Sequence, residues 1–244
     1  LWEQAVQRRT LKELTEVDEP AWPEVAAWFD SASVSVQQFG TDANRSAAVL
    51  ERLQVTLRSA IGAQAFHTGG VFLDHKWLRL LGSGSAQLPL DIVSLTERLG
   101  FWPSTDEPPT AVVFAVDVLG GVFAINWGAF GQKGAGNVFY FSPDELKWEN
   151  LNHGHSAFVQ LMLEGRIGLF YETLRWNGWE TESEATRGDQ AINFAPPLWA
   201  AESRPRESAS RRALPLNEIL SLHFNVYAPA IASGATQITL TARP

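Results

Sequence analysis

The chain has 244 residues, 45% of them hydrophobic, with a net charge of −8 and no cysteine. That length and apolar content suffice for one large core, and the acidity argues against a nucleic-acid ligand, because phosphate binding needs a basic face. Without cysteine there is no disulfide framework, thiolate nucleophile or zinc–thiolate site. No apolar run nears the roughly 18 residues of a spanning helix, and no export signal is visible, so a cytoplasmic protein without a membrane partner is expected.

In chain order, Leu11/Leu14 and Trp22/Val25/Ala26/Phe29 have helical spacing, with Pro20 and Pro23 at first-turn positions. Thr41-Asp42 offers an N-cap to a longer helix carrying Val49, Leu50, Leu53 and Leu57 on one face. From Ile61 the pattern changes to short strands over 61–67, 70–73 and 77–81, the first two joined by a Thr68-Gly69-Gly70 turn. A short helix entered through Pro89 is expected over 88–95, and 100–109 reads as a loop.

The segments 111–117, 121–127 and 137–141 are β-branched and aromatic runs separated by glycine-rich connections, the pattern of a three-stranded meander. Such connections are too short for the crossover helices of a parallel sheet. Beyond the meander, Ser156 is placed as the cap of a helix reaching Gly165, and helical spacing continues over 167–179. An edge strand is expected over 191–194, a mobile loop over 202–210, a short helix over 215–220 and an alternating strand over 236–241. Helices at both ends of a block of sequential strands indicate an α+β fold: an antiparallel or mixed sheet centred on 111–141, N-terminal helices on one face and a helical extension after 156. The whole chain, 1–244, is expected to form one domain.

No stretch carries an unambiguous catalytic signature. Gly154-His-Ser-Ala-Phe158 lacks the second glycine of a nucleophile elbow, and Phe158 fills the position that must be small. His153 and His155 would share a face on a strand, but a metal needs a third ligand, with His67, Asp74 and His75 as the candidates. The loop from Gly128 to Gly136 lacks phosphate-loop spacing and leads into a strand rather than a helix. No cofactor and no metal are therefore expected.

The segments 68–75, 77–84, 119–126, 138–144, 171–176 and 188–190 together resemble the bacterial domain of unknown function twenty-six twenty-five, over about residues 10–222, with 223–244 as a C-terminal strand extension. Leu88-Pro-Leu-Asp91, 120–125, 138–141 and 156–158 are similar to the looser pattern of the SUKH superfamily, which includes Syd and toxin-immunity proteins. This second resemblance implies an α+β binding module without catalytic residues. The leading expectation is accordingly a non-catalytic protein-binding module of immunity or inhibitor type, with a basic protein such as a toxin as partner. Its contact residues are acids beside a tryptophan: Asp144, Glu145 and Glu149 with Trp148, and Glu180 and Glu182 with Trp179. The alternative is an enzyme, hydrolase-like or metal-dependent, with a site near His67, His75, His153 and His155, to which Asp189 could contribute.

Overall fold

The expected meander is the middle of a longer one. In the computed structural model, which describes residues 8–104 and 107–233, seven strands hydrogen-bond in strict chain order. They are β1 (Val36–Gln38), β2 (Val71–Leu73), β3 (Leu78–Leu80), β4 (Ala111–Asp117), β5 (Val122–Asn126), β6 (Asn137–Ser142) and β7 (Lys147–Gly154), and every pairing is antiparallel. All residues of β4 and β5 are buried, which is why these strands are continuous apolar runs rather than alternating ones. A second sheet of two strands, β8 (Gln190–Ala195) and β9 (Ser210–Pro215), joins the first where Ile192 N–H donates to the Val118 carbonyl at 2.6 Å.

Helices cover both faces. On the N-terminal side are α1 (Leu11–Thr15), α2 (Trp22–Asp30), α3 (Ala43–Leu53), α4 (Ala60–His67) and α5 (Ile92–Arg98). The Asp42 carboxylate caps α3 by accepting from the backbone of Asn44 and Arg45. After β7 come α6 (His155–Leu161), a π turn at Met162–Arg166, and α7 (Ile167–Phe170); α8 (Trp179–Ala185) follows, then β8 and β9, α9 (Leu216–Ser221) and α10 (Ala228–Ala232). Phe114, Phe123 and Tyr140 meet Phe158, Phe170 and Tyr171 on one face, while Phe139, Phe141 and Trp148 meet Phe130, Phe101 and Phe224 on the other. One contiguous apolar core runs from Val25 to Tyr227, so the second sheet and its helices share it with the meander.

Several sequence expectations are corrected. Residues 61–67 form helix α4, not a strand: Ser59 caps it by accepting from Gly62 N–H, and its alanines are the strongest helix formers. Gly62 is needed there because a Cβ would lie 2.4 Å from the Thr56 carbonyl. The helix expected over 88–95 starts at Ile92, where the Asp91 carboxylate accepts from Ser94 N–H at 2.8 Å. Gly154, not Ser156, is the N-cap of α6. The loop expected over 202–210 contains two 3-10 turns around buried Ser203 and Arg206, and Arg206 donates to the Leu198 carbonyl and to Ser203. Of the expected strand extension, 223–232 is helical; the strand placed at 236–241 lies outside the described residues.

Candidate functional site

Strand β7 has eight residues and ends the sheet order, and among the described residues it pairs only with β6. Most of its side chains are exposed or half-buried. The sequence did not disclose it because its register shifts opposite Asn137–Phe139 and Asn152 takes a left-handed φ of 57°, which breaks the alternation on which strand recognition depends.

The helix that follows β7 is itself broken. Gly165 has φ 94°, a left-handed value that only glycine adopts without strain, and the chain bends there between α6 and α7. Such interruptions of a helix often mark functional positions. Beside this break lies a cleft of about 360 Å³ between β7 and the helices, lined by Leu151, Phe158, Leu161, Met162, Leu169 and Phe170, with His153 and Arg166 as its polar members. Leu169, at the edge of the cleft, is 66% exposed. The cleft falls within the size range of small-ligand and side-chain pockets.

Of the expected contact residues, Asp144, Glu145, Trp148 and Glu149 fall on β7 and the turn before it. Glu145 and Glu149 are exposed and flank Lys147, which pairs with both. Trp148 is half-buried among Phe101, Phe130, Phe141 and Phe224. Asp144 accepts from Ser142 and lies 4.0 Å from the Arg206 guanidinium. The second group is engaged within the fold: Trp179 packs on Trp77 and beneath Arg175, and Glu182 accepts from Trp176 Nε1 at 2.9 Å and from Arg211. Glu180 is exposed.

The histidines are not brought together. His67 stacks on Trp22, His75 pairs with Glu184 at 2.6 Å, His153 is exposed at the cleft, and His155 is buried with Nε2 3.1 Å from Gln64 Oε1. His153 lies within β7 whereas His155 begins α6, so the shared face expected of a strand pair does not form. Burial pushes the His155 imidazole down to about 3. Asp189 pairs with Arg187 on a different part of the surface. Among the described residues no group of three or more His, Asp or Glu is placed to hold a metal.

A family model described as "Protein of unknown function DUF2625" matches residues 11–219. The chain belongs to the DUF2625 family. It is 33% identical over 218 residues to the "Putative uncharacterized protein YbfG" of Escherichia coli K12, an alignment covering 89% of this chain and 97% of that protein. It is also 33% identical over 190 residues to an "Uncharacterized protein" of Haemophilus influenzae, covering 78% and 82% respectively. The DUF2625 match takes in the whole seven-stranded sheet, β7 and the cleft. Among the described residues no helix is long and apolar enough to cross a membrane.

Within the DUF2625 segment two charged side chains, an acid and a base that no sequence motif marks, are fully buried. The fully buried Asp117 carboxylate accepts from the backbone of Leu119 and Gly121 and from the hydroxyls of Tyr140 (2.8 Å) and Tyr171 (3.1 Å). Burial raises its pKa, and those four bonds oppose the rise. A Cβ on Gly121 would sit 2.2 Å from this carboxylate, so the glycine is required by the contact. Arg79, equally buried, donates to the carbonyls of Lys76, Gly188 and Gln190 and ties β3 to the start of β8; burial lowers it to about 10 against the attraction of Asp117 and Asp189. Closed off from any cleft and saturated by the chain's own groups, Asp117 serves to fix the β4–β5 hairpin against α7 and the turn after it. The signal for it was Asp117 standing two residues before the Leu119-Gly-Gly turn, a spacing that suits an aspartate bonding its own turn.

Proposed function

We propose that this chain is a non-catalytic protein-binding module of the cytoplasm, acting as one domain, which takes an extended segment of a partner protein along the free edge of β7. The observation that carries this reading is the pairing of β7: it is the longest strand of the sheet, it has no strand beyond it among the described residues, and the apolar cleft lies directly beside it. Addition of a strand to such an edge supplies main-chain hydrogen bonds, and a neighbouring pocket supplies side-chain selectivity. Exposed edges promote indiscriminate pairing unless they carry charges and bulges, and β7 has both in Lys147, Glu149 and the register shift. It is thereby protected from unselected edges while remaining open to a complementary one.

The net charge of −8 and the acids Asp144, Glu145 and Glu149 suit a basic partner, whose approach they would accelerate at low salt. An inhibitor that covers a toxin, as the SUKH likeness implies, is one form of this function. Trp148, held in its aromatic cluster, acts as a fixed wall rather than a free anchor. Glu180, Glu182 and Trp179 form a second, weaker contact patch on α8.

Peptides selected for binding from a displayed library test the reading by amide hydrogen exchange. Bound peptide is expected to slow exchange along 147–151 and to bind more slowly as salt rises. Selected peptides that leave β7 exchange unchanged and protect another surface instead would refute it.

A further inference from the structure

The cleft carries a chemical bias that edge pairing alone leaves unused. Besides its six apolar residues it is lined by one guanidinium and one imidazole, and among the described residues no carboxylate lines it, in a chain with 27 acids against 19 lysines and arginines. Glu164, on the same π turn, is not among the lining residues. Arg166 and His153 are both exposed, and neither side chain forms an ion pair or hydrogen bond with another described residue. Four arginines elsewhere have carboxylate partners, Arg175 with Asp74, Arg187 with Asp189, Arg211 with Glu182 and Arg52 with Glu97, while Arg45, Arg204 and Arg212 are exposed like Arg166 but do not line this cleft.

We propose that the cleft receives the C-terminal residue of the partner segment: a bulky apolar side chain on the floor made by Phe158, Met162 and Phe170, with its free carboxylate on Arg166 and the His153 ring N–H as a second donor. This rests on the reading of β7 as the binding edge and deepens it. A chain end is the one protein group that places an apolar side chain and a carboxylate on the same residue, which is the combination this cleft is built to take. An internal aspartate or glutamate would satisfy the arginine but leave the apolar floor uncovered. The guanidinium fork matches a carboxylate with two parallel hydrogen bonds, so the end group is both held and oriented. Because β7 runs from Lys147 towards the cleft, a segment that pairs along 147–151 and ends at His153 lies parallel to β7, at the usual strand separation of about 4.8 Å.

The test uses the full chain and fluorescein-labelled decapeptide mixtures that end in Leu, Phe, Lys or Asp, each made with a free carboxylate and as the carboxamide, read by fluorescence anisotropy. Free acids ending in Leu or Phe are expected to bind, and amidation to weaken them at least tenfold. Arg166→Gln, an exposed change whose folding is checked by circular dichroism, should weaken the free acids by a similar factor and leave the amides unchanged. Acids and amides binding equally, with β7 still protected from exchange, would overturn end-group capture and leave the edge reading standing. Binding of no peptide in any form would overturn both. Decanoate occupying the cleft where no peptide does, seen as an Arg166-dependent heat of binding, would make it a small-carboxylate site and overturn the proposal.

Discussion

Two arginines nine residues apart, Arg166 and Arg175, meet opposite surroundings. Arg175 is stacked 3.8 Å from the Trp179 ring centre and 5.0 Å from that of Trp77, and it is paired with Asp74, both charged side chains being 14% exposed. Arg166 stands exposed over an apolar cleft that no carboxylate of the described residues lines. Both sites combine aromatic or aliphatic surface with a guanidinium, yet the first has a carboxylate partner and the second, among the described residues, has none. The difference separates the polar groups that build this molecule from those left for something else. A buried or half-buried charge must be matched by the chain itself, since the cost of leaving it unmatched is several kcal/mol, whereas a cation at an open cleft has water until a ligand replaces it.

The largest expected effect lies deepest in the closed region. Asp117→Ala leaves two backbone N–H groups and two tyrosine hydroxyls unsatisfied in the core, and should cost about 3–5 kcal/mol in chemical denaturation. A loss under about 1 kcal/mol would mean that the carboxylate is not the organising group of that hairpin.

Next in size is a pH effect from His155. Its folded form stays neutral down to about 3, while the unfolded imidazole protonates near its ordinary 6.5, so unfolding takes up a proton throughout that window. Stability must therefore fall as the pH drops below about 6.5, by about 1.4 kcal/mol per pH unit for this group, or about 2 kcal/mol by pH 5. His223, pushed by burial down to about 4, acts in the same direction, while Asp117, with its pKa raised, acts in the opposite one. Comparing denaturation of the parent and His155→Gln at pH 7 and pH 5 isolates the His155 share. An identical pH dependence in the two proteins would show that His155 titrates inside the fold as it does outside it.

The smallest effect sharpens the comparison itself. Arg175→Ala removes two stacking contacts and leaves Asp74 unpaired, for an expected loss of about 1–2 kcal/mol. Arg166→Ala should change stability by no more than about 0.5 kcal/mol, as for other surface substitutions. Equal losses at the two positions, measured by thermal or urea unfolding, would erase the distinction between a completed and an open site.

The sequence by itself determined the fold class and the centre of the sheet. Runs such as Ala111–Asp117 admit no reading but a buried strand once glycine-bounded connections too short for a crossover join them, and Asp42 capped the helix it was expected to cap. Local signals sufficed there because hydrogen bonding, turn length and burial all act within a few residues. They failed at 61–67, where an apolar run suits a strand as well as a helix and the Ser59 cap decides between them, and at β7, where a register shift hides the alternation. Only the tertiary structure decided the candidate site. The cleft needs Leu151 from a strand and Met162, Arg166 and Phe170 from a broken helix to face one another, and whether Arg166 or Arg175 finds a carboxylate depends on segments as distant as Asp74. Long-range packing sets which charges are matched, and no spacing within one segment encodes it.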